Sequence, residues 1–186
     1  MENGVLRQNE RILRLSLDFN AFDFLKKYRE FDFDSFKSFI DLKIAIITLV
    51  SFFELFIKWI ICTENREDIW LRSTKRNVKS FNNDDFESGN FHSISLSKCL
   101  NIAVEKKWIS QKEKETILRI DEIRNCIVHY EICGNVKLFG GNSLLLTKSL
   151  FVEADKSIVS LIKHNYQKLS KNLKIEYKEI IDFYMK

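Results

Sequence analysis

Ile44-Ala45-Ile46-Ile47-Thr48-Leu49-Val50-Ser51-Phe52-Phe53 is the most apolar stretch of the chain, ten uncharged residues followed by Glu54 and Lys58. A membrane-spanning helix needs about 20 such residues. The stretch therefore reads as the middle of a buried helix, and no membrane span is expected. The surrounding pattern predicts one long helix over 36–62. A helix apolar nearly all round is enclosed by others, so 36–62 becomes the axis of the fold, with a subunit contact as a further use of its surface.

Working outward, Phe31-Asp32-Phe33-Asp34-Ser35 is a break with capping residues. Residues 4–28 before it read as one or two amphipathic helices, with Leu6, Ile12, Leu13, Leu15, Leu17, Phe22, Phe24 and Leu25 as the apolar set. After the central helix, 63–77 are charged and able to continue it. Residues 80–90 are a polar loop, Phe91–Leu96 is short enough to be extended, and 97–107 reads as a helix. Ser110 and Glu113 match a capping box. The helix they open runs over 111–132 and stops near Gly134. Residues 135–153 alternate around Gly140-Gly141-Asn142, a turn signal that predicts a hairpin. Asp155 caps a last helix over 156–184. The expectation is an all-α single domain, 1–186. It is a helical bundle of five or six helices with a small β-hairpin between the 111–132 helix and the last one. Residues 1–30 form an N-terminal helical extension, and 135–153 form the hairpin insert.

Composition agrees. The 186 residues include no proline and five glycines, with 45% hydrophobic and 30% charged residues. That excludes disordered, collagen-like and disulfide-scaffold classes. Proline in a helix interior costs about 3 kcal/mol, so its absence suits a helical chain. Codon bias toward Phe, Ile, Lys and Asn accounts for part of it. Cys62, Cys99, Cys126 and Cys133 form no C-x-x-C pair and have no zinc spacing. Free thiols and an N-terminus without a signal-like apolar run point to the cytoplasm. The net charge is +4. Residues 156–186 carry it, with seven lysines against Glu176, Glu179 and Asp182. Such a face is a solvated surface or a phosphate contact.

The chemistry-bearing stretch is Asp121-Glu122-Ile123-Arg124-Asn125-Cys126-Ile127-Val128-His129-Tyr130. On a helix, Asp121, Asn125 and His129 share a stripe at i, i+4, i+8, and Arg124 flanks it. Ile120, Ile123, Ile127 and Tyr130 are placed to face the core. His exchanges a proton near neutral pH, Arg forks onto phosphate oxygens, and Asn125 can orient the imidazole. The trio suits a phosphodiester and requires no metal or cofactor. The plainer reading of the same spacing is a surface His beside an Arg124–Asp121 salt bridge.

Arg124-Asn125-Cys126-Ile127-Val128-His129 resembles the R-x4-6-H motif of the HEPN superfamily in its R-N-x-x-x-H form. The resemblance covers six residues closely and the helical layout of 36–180 loosely. It implies a small helical bundle and a metal-independent endoribonuclease of the toxin–antitoxin or phage-defence kind. It also implies a homodimer whose two motifs form one composite site, with RNA as substrate and an antitoxin protein as partner. Arg124 maps to the motif Arg, for phosphate charge. Asn125 maps to the polar residue after it, and His129 to the motif His, for proton transfer. The implied products are a 2′,3′-cyclic phosphate and a 5′-hydroxyl. Antitoxin-paired members often carry Tyr two residues after the His. Here that position is Glu131, and Tyr130 comes one residue early.

Glu54 and Lys58 form an i, i+4 pair in the apolar helix, read as a mutual salt bridge or as groups facing the Arg124/His129 site. Glu54, Asp121 and Tyr130 are thus the supporting candidates. His92 and His164 read as solvated or capping. Phe31, Phe33, Phe81 and Phe86 sit in polar company, where an exposed ring can stack on a base. Two other functions fit the pattern: a catalytically silent HEPN-like module binding a nucleotide or protein, and a helical adaptor whose basic C-terminal helix binds nucleic acid.

Overall fold

A computed structural model of the chain describes residues 17–31, 39–69, 84, 93–129 and 148–186, with the backbone alone for Phe39, His129 and Lys148. These contain seven α-helices and no strand: α1 Leu17–Arg29, α2 Phe39–Glu64, α3 Leu96–Glu105, α4 Gln111–His129, α5 Lys148–Asn165, α6 Lys171–Glu176 and α7 Lys178–Met185. Short 3-10 turns lie at Arg66–Ile69 and Tyr166–Lys168.

α2 is the axis. It packs against α1, α3 and α4. By length and composition it could cross a membrane, yet 67% of its most apolar window is buried inside the bundle, as in a core helix. Its abundant phenylalanines explain how it packs. Phe52 and Phe56, one turn apart, stack at 5.3 Å, and Phe56 stacks on Trp59 at 5.6 Å. Phe22 of α1 meets both Phe52 and Phe56 edge-on. Thr48, buried in the same helix, donates its hydroxyl to the Ile44 and Ala45 carbonyls, so no buried polar group is wasted there.

α2 ends at Glu64, short of the charged run to 77 that sequence allowed it. Beyond the 3-10 turn, the Ile94 amide bonds the Ile69 carbonyl at 2.9 Å and ties the start of the α3 entry to the end of that turn. Ser95 then caps α3, one residue before Leu96.

The capping box forms as read. Glu113 N donates to Ser110 Oγ at 3.2 Å, and Ser110 N donates to Glu113 Oε2 at 2.6 Å. Ser160 Oγ of α5 donates to the other carboxylate oxygen. Burial works against the charged carboxyl, but these hydrogen bonds outweigh it and hold Glu113 below the usual range. A depressed carboxyl adds stability above its unfolded pKa, and that stability is lost as pH falls through the folded one. Glu113→Gln is therefore expected to lower the urea midpoint at neutral pH, and to lower it less once the pH is below the unfolded carboxyl value of about 4.3. An equal loss on both sides of that value would refute the assignment.

The C-terminal third departs from expectation twice. Residues 148–153, expected in the second strand of the hairpin, are the first turns of α5; residues 135–147 lie outside the described residues. Leu150, Phe151, Ala154, Ile158, Leu161 and Ile162 are all buried. That is a helical period, which a short run of alternating residues had masked. Asp155 accordingly sits in mid-helix rather than at a cap. It accepts a hydrogen bond from Tyr184 Oη at 3.2 Å.

The single helix expected over 156–184 is three helices, which raises the count above five or six. Asn165 turns its amide back onto the Leu161 carbonyl at 2.9 Å and leaves helical geometry. This competition between side chain and backbone ends helices. Leu169 is extended, and Ser170 caps α6 by accepting from Leu173 N. Tyr177, between α6 and α7, anchors this part to α1 through a 2.6 Å bond to Asp23.

α3 ends in a Schellman motif. Trp108 N bonds Ala103 O at 2.9 Å and Lys107 N bonds Val104 O at 3.0 Å. The left-handed position, usually glycine, is Lys107 at φ 60°. That conformation costs a residue with a Cβ about 1–2 kcal/mol, partly offset by the entropy glycine brings to the unfolded chain. Lys107→Gly is expected to stabilise the protein by about 0.5–1 kcal/mol in urea unfolding. A destabilised variant would contradict this account.

Candidate functional site

α4 carries the Arg/Asn/His constellation on its C-terminal half. Ile117, Ile120 and Ile123 are buried and hold the helix against its neighbours. The next turn is more open: Arg124, Asn125, Cys126 and Ile127 are half-buried, and Val128 is 54% exposed.

Asp121 and Arg124 meet. Arg124 Nε donates to Asp121 Oδ1 at 3.1 Å, and Nη2 donates to the same oxygen. Their side chains remain 28% and 17% exposed, respectively. Both bonds fall on one carboxylate oxygen and use two of the five guanidinium N–H groups. The local salt bridge allowed by the spacing is thus present, and three donors are left over from it.

His129 is the last described residue of α4, and its side chain lies outside the description. The backbone of α4 still sets the register of position 129. Asn125 is one turn before it, about 6 Å along the axis. Arg124 and His129 lie about 7.5 Å apart along the axis and about 140° around it. Asn125 and His129 are thus one turn apart in register, while the Arg124 side chain turns to Asp121. Tyr130 and Glu131 lie outside the described residues.

Glu54 is on α2. Lys58 Nζ contacts Glu54 Oε1 at 2.6 Å and Ser93 Oγ at 2.9 Å. The mutual salt bridge is therefore formed, and its cation also ties α2 to the strand-like entry into α3. No hydrogen bond links Glu54 to Arg124 or Asn125 among the described residues.

The described cysteines, Cys62, Cys99 and Cys126, are free thiols. Burial pushes Cys62 up to about 11 and Cys99 up to about 12, so both stay protonated and unreactive. No three of His, Cys, Asp and Glu converge in a metal-ligand cluster among the described residues.

His164 sits on the last turn of α5, exposed, with Nδ1 2.8 Å from the Ser160 carbonyl. It borders a groove with Trp108 and Lys107 at the α3–α4 turn. No local sequence signal marks this groove, because its turn carries a lysine in the left-handed position where glycine is usual. His92, Phe33, Phe81 and Phe86 lie outside the described residues, while Phe31 is half-buried and packs on the core. Comparison with protein families, with curated proteins and with solved structures finds no match to this chain.

Proposed function

We propose that the chain is a HEPN-like, metal-independent endoribonuclease, with Arg124 and His129 as its working residues and Asn125 as the group that orients the imidazole. The observation that carries the reading is the arrangement on α4. An arginine with spare donors, an amide and a histidine stand within two turns of one half-exposed helical segment. His129 would take the proton from the RNA 2′-hydroxyl. The 2′-oxygen then bonds to phosphorus, and the bond from phosphorus to the 5′-oxygen breaks. The departing oxygen takes up a proton, and no water is consumed. Arg124 would stabilise the charge that builds on the phosphoryl oxygens.

The 140° arc between Arg124 and His129 favours a homodimer. Two copies of α4 brought together can offer Arg124 of one and His129 of the other to the same phosphate. Dependence on the 2′-hydroxyl would make RNA the substrate and leave DNA intact.

The Asp121–Arg124 pair favours a second reading. A guanidinium already neutralised by a carboxylate belongs as readily to a silent module that binds a nucleotide or a protein partner. RNA cleavage in EDTA by the wild type, by Arg124→Ala and by His129→Ala separates the two. Loss of cutting in both variants supports the enzyme. Absence of cutting in the intact dimer supports the module.

A further inference from the structure

The groove between the α3–α4 turn and the end of α5 is about 420 Å³, within the ~300–1,000 Å³ of small-ligand clefts. Its floor is apolar: Val104, Trp108 and Ile109. Its rim is polar: Lys107, Ser110 and His164.

Hydrogen bonding decides which chemistry the rim has to spare. Glu113 is the one carboxylate in its lining, and three hydrogen bonds fall on it. Oε2 accepts from the Ser110 amide at 2.6 Å and from the Ser110 hydroxyl at 2.7 Å, while Oε1 accepts from Ser160. Three of its roughly four acceptor positions are thus taken within the protein, which leaves little of it for a cation. Lys106 and Lys168 pair with Glu64, and Lys112 pairs with Glu153. Lys107 has no ion pair among the described residues. His164 Nδ1 donates to the Ser160 carbonyl, so Nε2 accepts from a protonated phosphate oxygen in the neutral ring and donates to a phosphate only in the imidazolium.

Lys107 is also the residue held at φ 60°. Strain of this kind persists where function needs it, and glycine would serve the turn better. What glycine would lose is the ammonium at the groove. Lys168 Nζ sits over the Trp108 ring, 4.7 Å from its centroid.

We infer that this groove is a second ligand site, separate from the Arg124 region, for an organic phosphate of mononucleotide size. The phosphate would sit on Lys107 and His164, and the ring on the Trp108–Val104–Ile109 floor. Glu113 and Arg124 are 11 residues apart on α4, about 16 Å along its axis, so one small ligand does not reach both.

The test is a titration of the full chain with a nucleoside 5′-monophosphate, the matching nucleoside and inorganic phosphate, read by the ¹⁵N shifts of the Trp108 indole and Ser110 amide. The monophosphate is expected to saturate, and each half alone to bind roughly tenfold or more weakly. Lys107→Gly is expected to weaken it by roughly tenfold or more, with a raised melting temperature and unchanged RNA cleavage. His164→Gln is expected to weaken it as well. A 5′-phosphorylated RNA end competing for the same shifts would identify a strand terminus as the source of the phosphate, whereas competition by the free monophosphate alone would identify a small metabolite. No saturable shift at about 10 mM, where even a millimolar site is filled, would overturn the proposal. So would Lys107→Gly binding as well as wild type. Neither result depends on whether the protein cuts RNA.

Discussion

Purified protein mixed with total RNA in EDTA is expected to cut it, leaving 2′,3′-cyclic phosphate ends. His129→Ala is expected to lower the rate by roughly 10²–10⁴, the usual worth of a positioned acid–base group. Arg124→Ala is expected to lose roughly 10²–10³, the scale for one preorganised charge donor. The two losses should not add in the double variant if both groups act in one transition state. Mixing the variants gives a sharper test. In a composite site, an Arg124→Ala/His129→Ala heterodimer retains one intact Arg–His pair across the interface, so activity should partly return on mixing. Sites contained in single chains would stay dead. Equal cutting by wild type and both variants would remove these residues from the chemistry.

Local rules explain what sequence revealed. The capping box at Ser110–Glu113 needs only four residues, and it forms. The central helix needs only its own hydrophobicity, and Phe39–Glu64 follows the expected 36–62 closely. The Asp121–Arg124 pair is an i, i+3 contact, readable from spacing. What failed depended on competition between elements. Residues 148–153 fit two periods over six residues, and packing of Leu150 and Phe151 into the core chose the helical one. The break after Asn165 has neither glycine nor proline to mark it. Asn165 and Ser170 accomplish it through side-chain bonds to backbone. Lys107 was invisible for the opposite reason, because the residue that normally flags a left-handed turn is missing from it. For the site itself, sequence put Arg124, Asn125 and His129 on one helix face. The same spacing, taken as angles, sets Arg124 about 140° from His129. That turns a single-helix cluster into an argument for two helices.

Phe56→Ala is expected to be the most destabilising single change in the core, at about 3–5 kcal/mol. Phe56 is fully buried in the C-terminal half of α2, and its ring lies between 5.3 and 5.6 Å from those of Phe22, Phe52 and Trp59. Truncation removes the transfer energy of the ring, about 1.5–3 kcal/mol, and the aromatic contacts on three sides. It also leaves a cavity that α1 and α2 cannot both close. For a chain of this size each kcal/mol moves the melting temperature by roughly 2–4 °C, so a fall of roughly 6–20 °C is expected in calorimetry. Phe183→Ala is the matched comparison. Its ring is 52% exposed and lies 3.9 Å from the Arg29 guanidinium, a surface contact worth about 0.5–1 kcal/mol. If the two variants melted within a few degrees of each other, Phe56 would not be enclosed. α2 would then not be the central helix, because a helix that tolerates a hole at its most enclosed aromatic cluster is not the axis around which the bundle packs.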